Sequence, residues 1–372
     1  MDHLAAQKDS ETTSEEYLRV LRRRTLILSA LPFALLISAF LAVFIGTAGP
    51  LGPGVIDQEG HHERISFGDA IDAILNAHGD WPYDYHAVFW DVRIPRVLLA
   101  GLVGAALACS GTAMQAVFRN PMADPFIVGV SSGASLGAVV VEVTGLGALV
   151  AIGTIMSPVF AFITALVTVL VVYSLGTVRG RVYVDTLLLS GVAVAAFLSA
   201  LVSFLIYFAH LEYHRIIFWL LGSLAQATWP AVATVALAVG VGSMLIFLFS
   251  RDLNALLLGE ETAHNLGADP EFLKTLMLVV AAVMTSAAVA FTGVIGFIGL
   301  IIPHMMRIAV GADHRILLPS ATLAGATFLI LADSVARTVI SPNALPVGII
   351  TALSGGPFFL YLLRRSRTES ER

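Results

Sequence analysis

Residues able to do acid–base or phosphate chemistry are few in this chain, and their spacing fits no catalytic motif. The only lysines are Lys8 and Lys274, and neither follows a glycine, so there is no GxxxxGK[ST] loop for nucleotide phosphates. The sequence also lacks an HExxH zinc motif and a GxSxG nucleophile elbow. Acidic residues within the apolar stretches, which a proton relay would need, are limited to Glu142 and Asp333, both near the ends of those stretches. The sequence therefore predicts that this chain is not an enzyme.

Histidine is the remaining candidate for a ligand. His304 follows Pro303 inside a short apolar stretch, where an ionisable group is a functional candidate by default. A lone histidine there more often bonds a backbone carbonyl that the proline leaves free. His61, His62 and Glu63 lie in a polar segment, but their spacing matches no metal-site pattern. We predict no metal site and no cofactor in this chain.

The elements that must position these residues are membrane helices. A chain that is 57% hydrophobic and 13% charged, with a mean hydropathy of +0.86, is too apolar to be a soluble globule. Apolar runs of about 20 residues recur, each able to cross the hydrocarbon core as a helix. We predict an all-α, polytopic membrane protein with about ten transmembrane helices, at 26–45, 92–117, 127–143, 149–175, 186–209, 229–249, 272–292, 295–310, 317–336 and 346–363.

The loop charges predict the orientation of these spans. Arg22, Arg23 and Arg24 precede the first span and place the N-terminus in the cytoplasm. The segment 47–91 is strongly acidic and falls outside, and ten spans return the C-terminus to the inside. We therefore predict a multi-pass protein of the cytoplasmic membrane. It is divided into a cytoplasmic tail over 1–25, a transmembrane domain over 26–364 and a second cytoplasmic tail over 365–372.

Three arginines fall on the outer side, against this charge bias. Arg93 and Arg96 stand at the start of the second span, and Arg337 stands at the end of the ninth. The planar fork of arginine can hold a carboxylate with two hydrogen bonds, which would fix the register of a docked protein. Two alternatives stay open: arginines that reach lipid headgroups, or Arg337 paired with Asp333 one turn earlier.

The two halves of the chain resemble each other in their pattern of span lengths. The order long, short, long, long occurs in spans two to five and again in spans seven to ten. An odd number of crossings separates the two units, so the repeat is predicted to be inverted, a recurring transporter design. The short third span carries Gly129, Gly133 and Gly137 at intervals of four residues. That ridge of small residues predicts close packing against another helix.

The segment 251–274 is a polar island between two apolar runs. Its pattern predicts two short amphipathic helices joined at Gly259, with Leu253, Leu256 and Leu257 on one side of the first helix. We interpret those leucines as facing outward, on a surface where a soluble partner docks from the cytoplasm. An ordinary solvated loop is the alternative.

Several sequence blocks together resemble one family. They are RIPR at 93–96, GTAMQAVFRNPMADPFIVGVSSGAS at 111–135 and GVIGFIGLIIPHMMR at 293–307. ADHRILLPS, LADSVAR and ALPVGIITALSGGPFF follow in the family's order. The chain resembles the FecCD-type permease subunits of binding-protein-dependent ABC importers for iron–siderophore, haem and cobalamin. The resemblance covers 90–364 and leaves out the N-terminal 25 residues and most of 47–91.

The resemblance implies partners and residue roles. A homodimer in the lipid bilayer would work with two cytoplasmic ATP-binding subunits, which hold ATP and Mg, and with an extracytoplasmic substrate-binding protein; nucleic acid has no role. The outer arginines would dock the binding protein. The cytoplasmic gate would comprise Asn120, Met122, Val184 and Asp185, although the family often has small hydroxyl residues at the last two positions. ATPase coupling would fall to Leu253, Leu256, Gly259, Glu260, Ala263, Leu266 and Gly267.

The function expected from these features is ATP-driven import of a large metal chelate. Iron(III)–siderophore is the first expectation, and haem or cobalamin carried by the same mechanism is the alternative. A secondary transporter driven by an ion gradient is a more distant alternative, because the inverted repeat alone allows it. The scarcity of buried acids and the polar island argue against that alternative. An intramembrane enzyme centred on His304 would lack a second catalytic group.

Overall fold

A computed structural model describes residues 2–45, 55–56, 62–63, 66–75, 85–146, 153–209, 213–340 and 343–370. The first half contains α1 (Asp2–Phe44), β1 (Val55–Ile56), β2 (His62–Glu63), α2 (Phe67–Leu75), α3 (Tyr85–Ala87), a π-helical turn (Val88–Arg93), α4 (Ile94–Val117), a 3-10 turn (Pro125–Val128), α5 (Val130–Thr144) and α6 (Gly153–Gly176). The second half contains β3 (Thr177–Val178), β4 (Arg181–Val182), α7 (Val184–Phe208), α8 (Tyr213–Leu220), α9 (Trp229–Leu248), α10 (Ser250–Leu257), α11 (Glu260–Asn265), α12 (Pro270–Thr292), α13 (Ile298–Val310), α14 (His314–Thr338) and α15 (Val347–Ser370).

The membrane-crossing helices agree with the predicted spans. Among the described residues, seven helices are long and apolar enough to cross a membrane: α1, α4, α6, α7, α9, α12 and α14. Three shorter apolar helices, α5, α13 and α15, complete the set. The prediction of an all-α polytopic protein with about ten spans is confirmed. Two small antiparallel hairpins, β1–β2 and β3–β4, are the strands within the described ranges.

The predicted domain limits do not coincide with helix ends. Helix α1 begins at Asp2 and passes residue 25 without a break, and α15 continues past 364 to Ser370. The predicted outer segment 47–91 lies partly outside the described residues, and its described parts hold β1, β2, α2, α3 and most of the π-helical turn. In this last region His86 Nδ1 lies 3.0 Å from the carbonyl oxygen of Ala73.

Helix α4 lies at the centre of the bundle, with nearly all of its residues buried. It packs against α9, α12, α13 and α14. Lipid tails are as apolar as leucine, so association of membrane helices depends on close packing of small residues. At the crossing of α4 and α14, Gly104 faces Gly325 so closely that a Cβ on Gly104 would lie 2.7 Å from the carbonyl carbon of Gly325. Any larger side chain there would separate the two helices.

The packing also follows the predicted inverted repeat. Helix α4 of the first unit contacts α13 and α14 of the second, and α12 of the second contacts α5 and α6 of the first. The two short helices begin alike, each after a residue with a left-handed backbone: Gly129 (φ 84°) before α5 and Phe297 (φ 70°) before α13. Such reciprocal contacts are those that two inverted units make around a shared axis.

The two faces of the bundle carry different elements. The face with α10, α11, the β3–β4 hairpin and the turn 118–124 is called the inner side below, following the orientation predicted from charge. The face with α8, the C-terminal end of α1 and the N-terminal end of α4 is called the outer side. Each side holds one cluster of charged residues, and these clusters form the candidate site.

Candidate functional site

The outer arginine cluster consists of Arg93, Arg96, Asp333 and Arg337. Arg96 on α4 holds Asp333 on α14 with both arms of its guanidinium group: Nη2 lies 2.8 Å from Oδ1, and Nε lies 3.0 Å from Oδ2. Arg337, one turn after Asp333, places its Nε 3.0 Å from Oδ2. Asp333 is 1% exposed, so its charge is compensated by two guanidinium groups rather than by water.

The same arginines also bind the C-terminal end of α1. Arg337 donates from Nη1 to the Ile45 carbonyl at 2.8 Å and from Nη2 to the Ala42 carbonyl at 3.0 Å. Arg93 donates from Nη1 to the Val43 carbonyl at 2.9 Å. The last carbonyls of a helix have no partner within the helix, and cations there also meet the negative end of the helix dipole. The cluster therefore caps α1 and holds it to α4 and α14.

Burial distinguishes these arginines from an ordinary docking surface. Arg93, Arg96 and Arg337 are 6–8% exposed. The π-helical turn ends at Arg93, whose guanidinium carbon lies 5.0 Å from the centre of the Phe89 ring. The sequence left two alternatives open, and the structure shows one of them, the ion pair of Arg337 with Asp333. Arg96 is paired with the same carboxylate. Docking of a binding protein at this place stays a prediction.

The coupling segment, α10 with α11, corrects the orientation expected for its leucines. Leu253, Leu256 and Ala263 are fully buried, not outward-facing. Helix α10 packs Leu253 and Leu256 toward the inner ends of α4, α9, α12 and α14, because an amphipathic helix in water turns its apolar side to the apolar surface available. The exposed apolar side chains of the segment are the neighbouring Leu257 and Leu258 and, after α11, Leu266.

Two glycines bound α11. Gly259, before the helix, has φ 113°, and Gly267, after it, has φ 90°. A Cβ at either position would meet no atom within 4 Å, so the backbone conformation, and not crowding, requires glycine there. Both residues remain predicted coupling positions, and the structure adds that they set the direction of α11 relative to α10 and α12.

Helix α10 is fastened to the start of α14 by Asn254, a residue that the sequence analysis missed. Its Nδ2 donates to Asp313 Oδ1 at 2.8 Å, and its Oδ1 accepts from the backbone N–H of His314 at 2.8 Å. Arg315 hydrogen-bonds Asp313 and, aided by Asn254, lowers the pKa of that carboxyl to about 2. An asparagine on the polar side of an amphipathic helix gives no sequence signal of such an anchor.

The inner lysine cluster consists of Lys274, Glu260, Glu271 and Arg119. Lys274, the fifth residue of α12, is 1% exposed. Its Nζ donates to Glu271 Oε1 at 2.7 Å, to the Val182 carbonyl at 3.1 Å and to Glu260 Oε1 at 3.3 Å. Arg119 Nη2 lies 3.6 Å from the same Glu260 oxygen. The cluster thus joins α12, α11, the β3–β4 hairpin and the turn after α4.

The predicted gate residues stand on two turns next to this cluster. Asn120 follows Arg119, and its Oδ1 accepts from the backbone N–H of Met122 at 2.9 Å. Val184 and Asp185 open α7, directly after the β3–β4 hairpin. Asn120 and Asp185 are exposed on the inner side. Asn120 and Met122 thus lie next to Arg119, and Val184 and Asp185 lie next to Val182, which Lys274 contacts. The role of these four residues as a gate stays a prediction.

Asp124 ends the first of these turns and starts the 3-10 turn. Its Oδ1 accepts from the backbone N–H of Phe126 at 2.8 Å. Burial raises the pKa of the Asp124 carboxyl to about 6, and the Phe126 hydrogen bond offsets part of that effect. The carboxyl therefore changes charge close to neutral pH, next to the predicted gate.

The glycine ridge faces α6 within the same chain. A Cβ on Gly133 would lie 2.8 Å from the Thr164 carbonyl oxygen, and one on Gly129 would lie 2.9 Å from the Thr168 methyl group. Gly137 meets Thr164 and Phe160 in the same way. Gly129 is the left-handed residue before α5, whereas Gly133 and Gly137 lie inside the helix.

His304 is half-buried on α13. Its Nδ1 is buried and has no hydrogen-bond partner among the described residues. The nearby Arg307 donates to Gln115 Oε1 on α4 at 3.0 Å. Gln115 in turn donates to the Leu300 carbonyl at 3.2 Å, so Gln115 ties the start of α13 to α4.

Among the described residues, ten apolar helices, eight of them in two inverted units, and an amphipathic segment on the inner face define an α-helical membrane transport protein. Residues 60–365 match the model of the FecCD transport family. The chain therefore belongs to the FecCD transport family, in agreement with the resemblance of its motifs.

Three relatives support the assignment. The cobalamin import system permease protein BtuC of Halobacterium salinarum is 49% identical over 76% of this chain and 75% of that protein. The hemin transport system permease protein HmuU of Yersinia pestis is 43% identical over 76% of this chain and 84% of that protein. A probable iron chelatin transport system permease protein of Helicobacter pylori is 41% identical over 75% of this chain and 83% of that protein.

A solved structure agrees with the fold. It is described as an inward-facing conformation of a metal-chelate type ABC transporter, and it matches with a TM-score of 0.75 and 32% identity. The match covers 92% of this chain and 99% of that chain. The chain is thus a permease subunit of the ABC importer class, a transport component and not an enzyme.

Proposed function

We propose that this chain is the translocation subunit of an importer that moves a large metal chelate across the cytoplasmic membrane, driven by ATP hydrolysis on separate subunits. One observation carries the proposal: the chain matches a metal-chelate type ABC transporter over 92% of its length. The described surface of the coupling segment is consistent with it, because Leu257, Leu258 and Leu266 expose apolar side chains on the inner side. Exposed apolar groups on a water-facing surface are typical of a protein contact.

The proposed assembly contains two copies of this chain, two cytoplasmic ATP-binding subunits and an extracytoplasmic binding protein, with both termini of the chain in the cytoplasm. Two copies would form one translocation path between them, and the ATP-binding subunits would seat on the coupling segments. The absence of a phosphate-binding loop from the sequence supports a separate ATPase chain. The arginines before the first span support the orientation.

The substrate proposal has three candidates with separate support. Cobalamin is favoured by the 49% identity to the Halobacterium permease. Iron(III)–siderophore, the first expectation from the family resemblance, is supported by the 41% identity to the iron chelatin permease. Haem has the support of the Yersinia relative at 43%. We place cobalamin first, because its relative is the most similar of the three.

The outer arginine cluster supports a role in capturing an acidic binding protein. The cluster holds three guanidinium groups and one carboxylate: Arg96 and Arg337 pair with Asp333, whereas Arg93 bonds the Val43 carbonyl, so an excess of positive charge remains on the outer side. Such a field steers an oppositely charged protein and orients it on arrival. Capture of the binding protein by the reconstituted importer should therefore slow markedly as salt rises, and an association rate insensitive to salt would argue against this role.

Transport in proteoliposomes tests the proposal directly. The chain would be reconstituted with its ATPase subunits and binding protein, and uptake of radiolabelled cobalamin, iron-loaded siderophore and haem would be compared. We expect ATP-dependent uptake of one chelate that disappears when the ATPase subunit carries a substitution in its phosphate-binding lysine. Uptake that survives ATP removal but stops with an uncoupler would instead establish a secondary transporter.

A further inference from the structure

Helices α10 and α11 are held in different ways, although they are adjacent in sequence. Helix α10 is fixed by its buried leucines and by Asn254, which bonds the start of α14. Helix α11 has one apolar residue in its core contact, Ala263, and is joined to α10 through Gly259. The backbone of Gly259 has φ 113° and open space around it. Helix α11 can therefore change direction while α10 stays in place.

Glu260 connects this hinged helix to Lys274. The carboxylate is partly exposed, whereas the lysine is 1% exposed at the start of α12. Lys274 has three N–H groups, and the contacts to Glu260, Glu271 and the Val182 carbonyl use all of them. A buried ammonium group cannot exchange one of these acceptors for water without cost. When Glu260 is displaced, Lys274 therefore moves with it and shifts its other two acceptors, Glu271 and the Val182 carbonyl.

Those acceptors hold the turn that leads into α7. Val182 donates its backbone N–H to Glu271 Oε2 at 2.8 Å and accepts from Lys274 through its carbonyl. Both backbone groups of a single residue are thus fixed by side chains of α12. Val182 lies two residues before Val184 and three before Asp185, the predicted gate residues on this turn.

Glu260 reaches the other turn as well. Arg119 lies 3.6 Å from the Glu260 carboxylate and directly precedes Asn120. Arg119 has φ 46°, in the left-handed region that a residue with a side chain seldom adopts. A strained residue persists where its surroundings determine it, and such residues cluster at switch regions. One carboxylate on α11 therefore contacts Arg119, on the first turn, and Lys274 of α12, which bonds the second turn through the Val182 carbonyl.

We propose that Glu260 and Lys274 are positioning residues that link α11 to both inner turns. When a partner displaces α11, the pair moves residues 119–122 and 182–185 together. This linkage rests on the proposed function, in which the ATP-binding subunits seat on the coupling segment. The contact between Glu260 and Lys274 is the one through which movement of the ATP-binding subunits would reach the predicted gate. Lys274 is buried, so it acts without touching the partner.

The test follows one turn while nucleotide is added to the complete importer. Thr186, exposed in the first turn of α7, is changed to cysteine as a reporter, and the native Cys109 is buried. The complex in lipid nanodiscs is labelled with a water-soluble maleimide, with and without ATP and vanadate. We expect nucleotide to change the labelling rate at least about fivefold, which corresponds to typical coupling free energies. In Lys274→Gln the change should fall below about twofold while the ATPase subunits still co-purify.

A second variant covers the case in which Lys274→Gln fails to fold. Glu260→Ala removes the carboxylate from a partly exposed position, and Glu261→Ala is its matched control, one residue away and exposed. Loss of the nucleotide response in Glu260→Ala, with a parental response in Glu261→Ala, supports the linkage. A parental response in Glu260→Ala overturns it. A parent that binds no ATPase subunit would overturn the proposed function, whereas a parent that binds the subunits and shows no labelling response would overturn the linkage alone.

Discussion

The outer arginine cluster and the inner lysine cluster are built from the same kinds of groups but hold the protein in different ways. Outside, Arg96 and Arg337 share one carboxylate that is 1% exposed, and further arginine donors bond the end of α1. Inside, one buried ammonium meets two carboxylates whose side chains are 39% and 32% exposed. The outer contacts join three membrane helices to one another, whereas the inner contacts join two turns and a short hinged helix to the membrane helix α12.

The difference shows that burial determines whether a charged cluster is a brace, which fixes helices in place, or a linkage, which passes movement from one element to another. A buried carboxylate cannot lose its partners without a large cost, so the outer cluster fixes its helices. A partly hydrated carboxylate can change position at little cost, so the inner contacts allow movement while the buried Lys274 keeps its acceptors. We therefore expect substitutions outside to change stability and substitutions inside to change coupling.

The largest expected effect is that of Asp333→Asn. The change keeps the size of the side chain but leaves Arg96 and Arg337 buried without an anionic partner, so the free energy of unfolding should fall by about 3–5 kcal/mol. Equilibrium unfolding with SDS in mixed micelles measures it. Asp91→Asn, an exposed carboxylate on the same side, serves as the control. A variant as stable as the parent would show that the outer cluster is not a brace.

Arg337→Gln should have the next largest effect. It removes the donors to the carbonyls of Ala42 and Ile45, and a loss of about 1–3 kcal/mol is typical when buried acceptors become unpaired. The end of α1 should also loosen. Ala42, 1% exposed in the parent, can be changed to cysteine to report this through faster maleimide labelling. Unchanged labelling relative to Arg215→Gln, an exposed outer arginine, would contradict the capping role.

Glu271→Gln tests the inner cluster in the same assay. Lys274 keeps Glu260 and the Val182 carbonyl, and the lost charge is partly exposed, so the free energy of unfolding should fall by no more than about 1 kcal/mol. If Glu271→Gln lowered the free energy of unfolding as much as Asp333→Asn does, the distinction between the two clusters would be wrong, and the inner cluster would also be a brace that fixes its helices.

The last prediction concerns pH at Asp124. Its pKa is raised from 3.8 to about 6 in the folded protein, so the folded state binds more protons than the unfolded state between these values. Stability should therefore decrease as pH rises from about 4 to 6 and change no further through this group above that range. Asp124→Asn should flatten that part of the profile, and Glu261→Gln should not. Parallel profiles for parent and Asp124→Asn would refute the assignment.

The sequence by itself determined the class of the protein and its helices. Lipid imposes about 20 apolar residues on each crossing and requires every backbone group to be bonded within a helix, so composition and run length predict spans directly. The glycine ridge and the inverted repeat follow from spacing alone. The family follows from contiguous motifs, such as RIPR at 93–96.

Only the tertiary structure decided where the polar groups are used. Arg96 and Asp333 lie 237 residues apart, and Lys274 and Val182 lie 92 apart, so no local pattern announces either contact. The amphipathic pattern of α10 was visible, but Leu253 and Leu256 turned out to face the protein. A pattern gives the apolar side of a helix without saying what covers it. The neighbouring helices determine what covers the apolar side of α10, because burial against them competes with exposure to water and with binding to a partner.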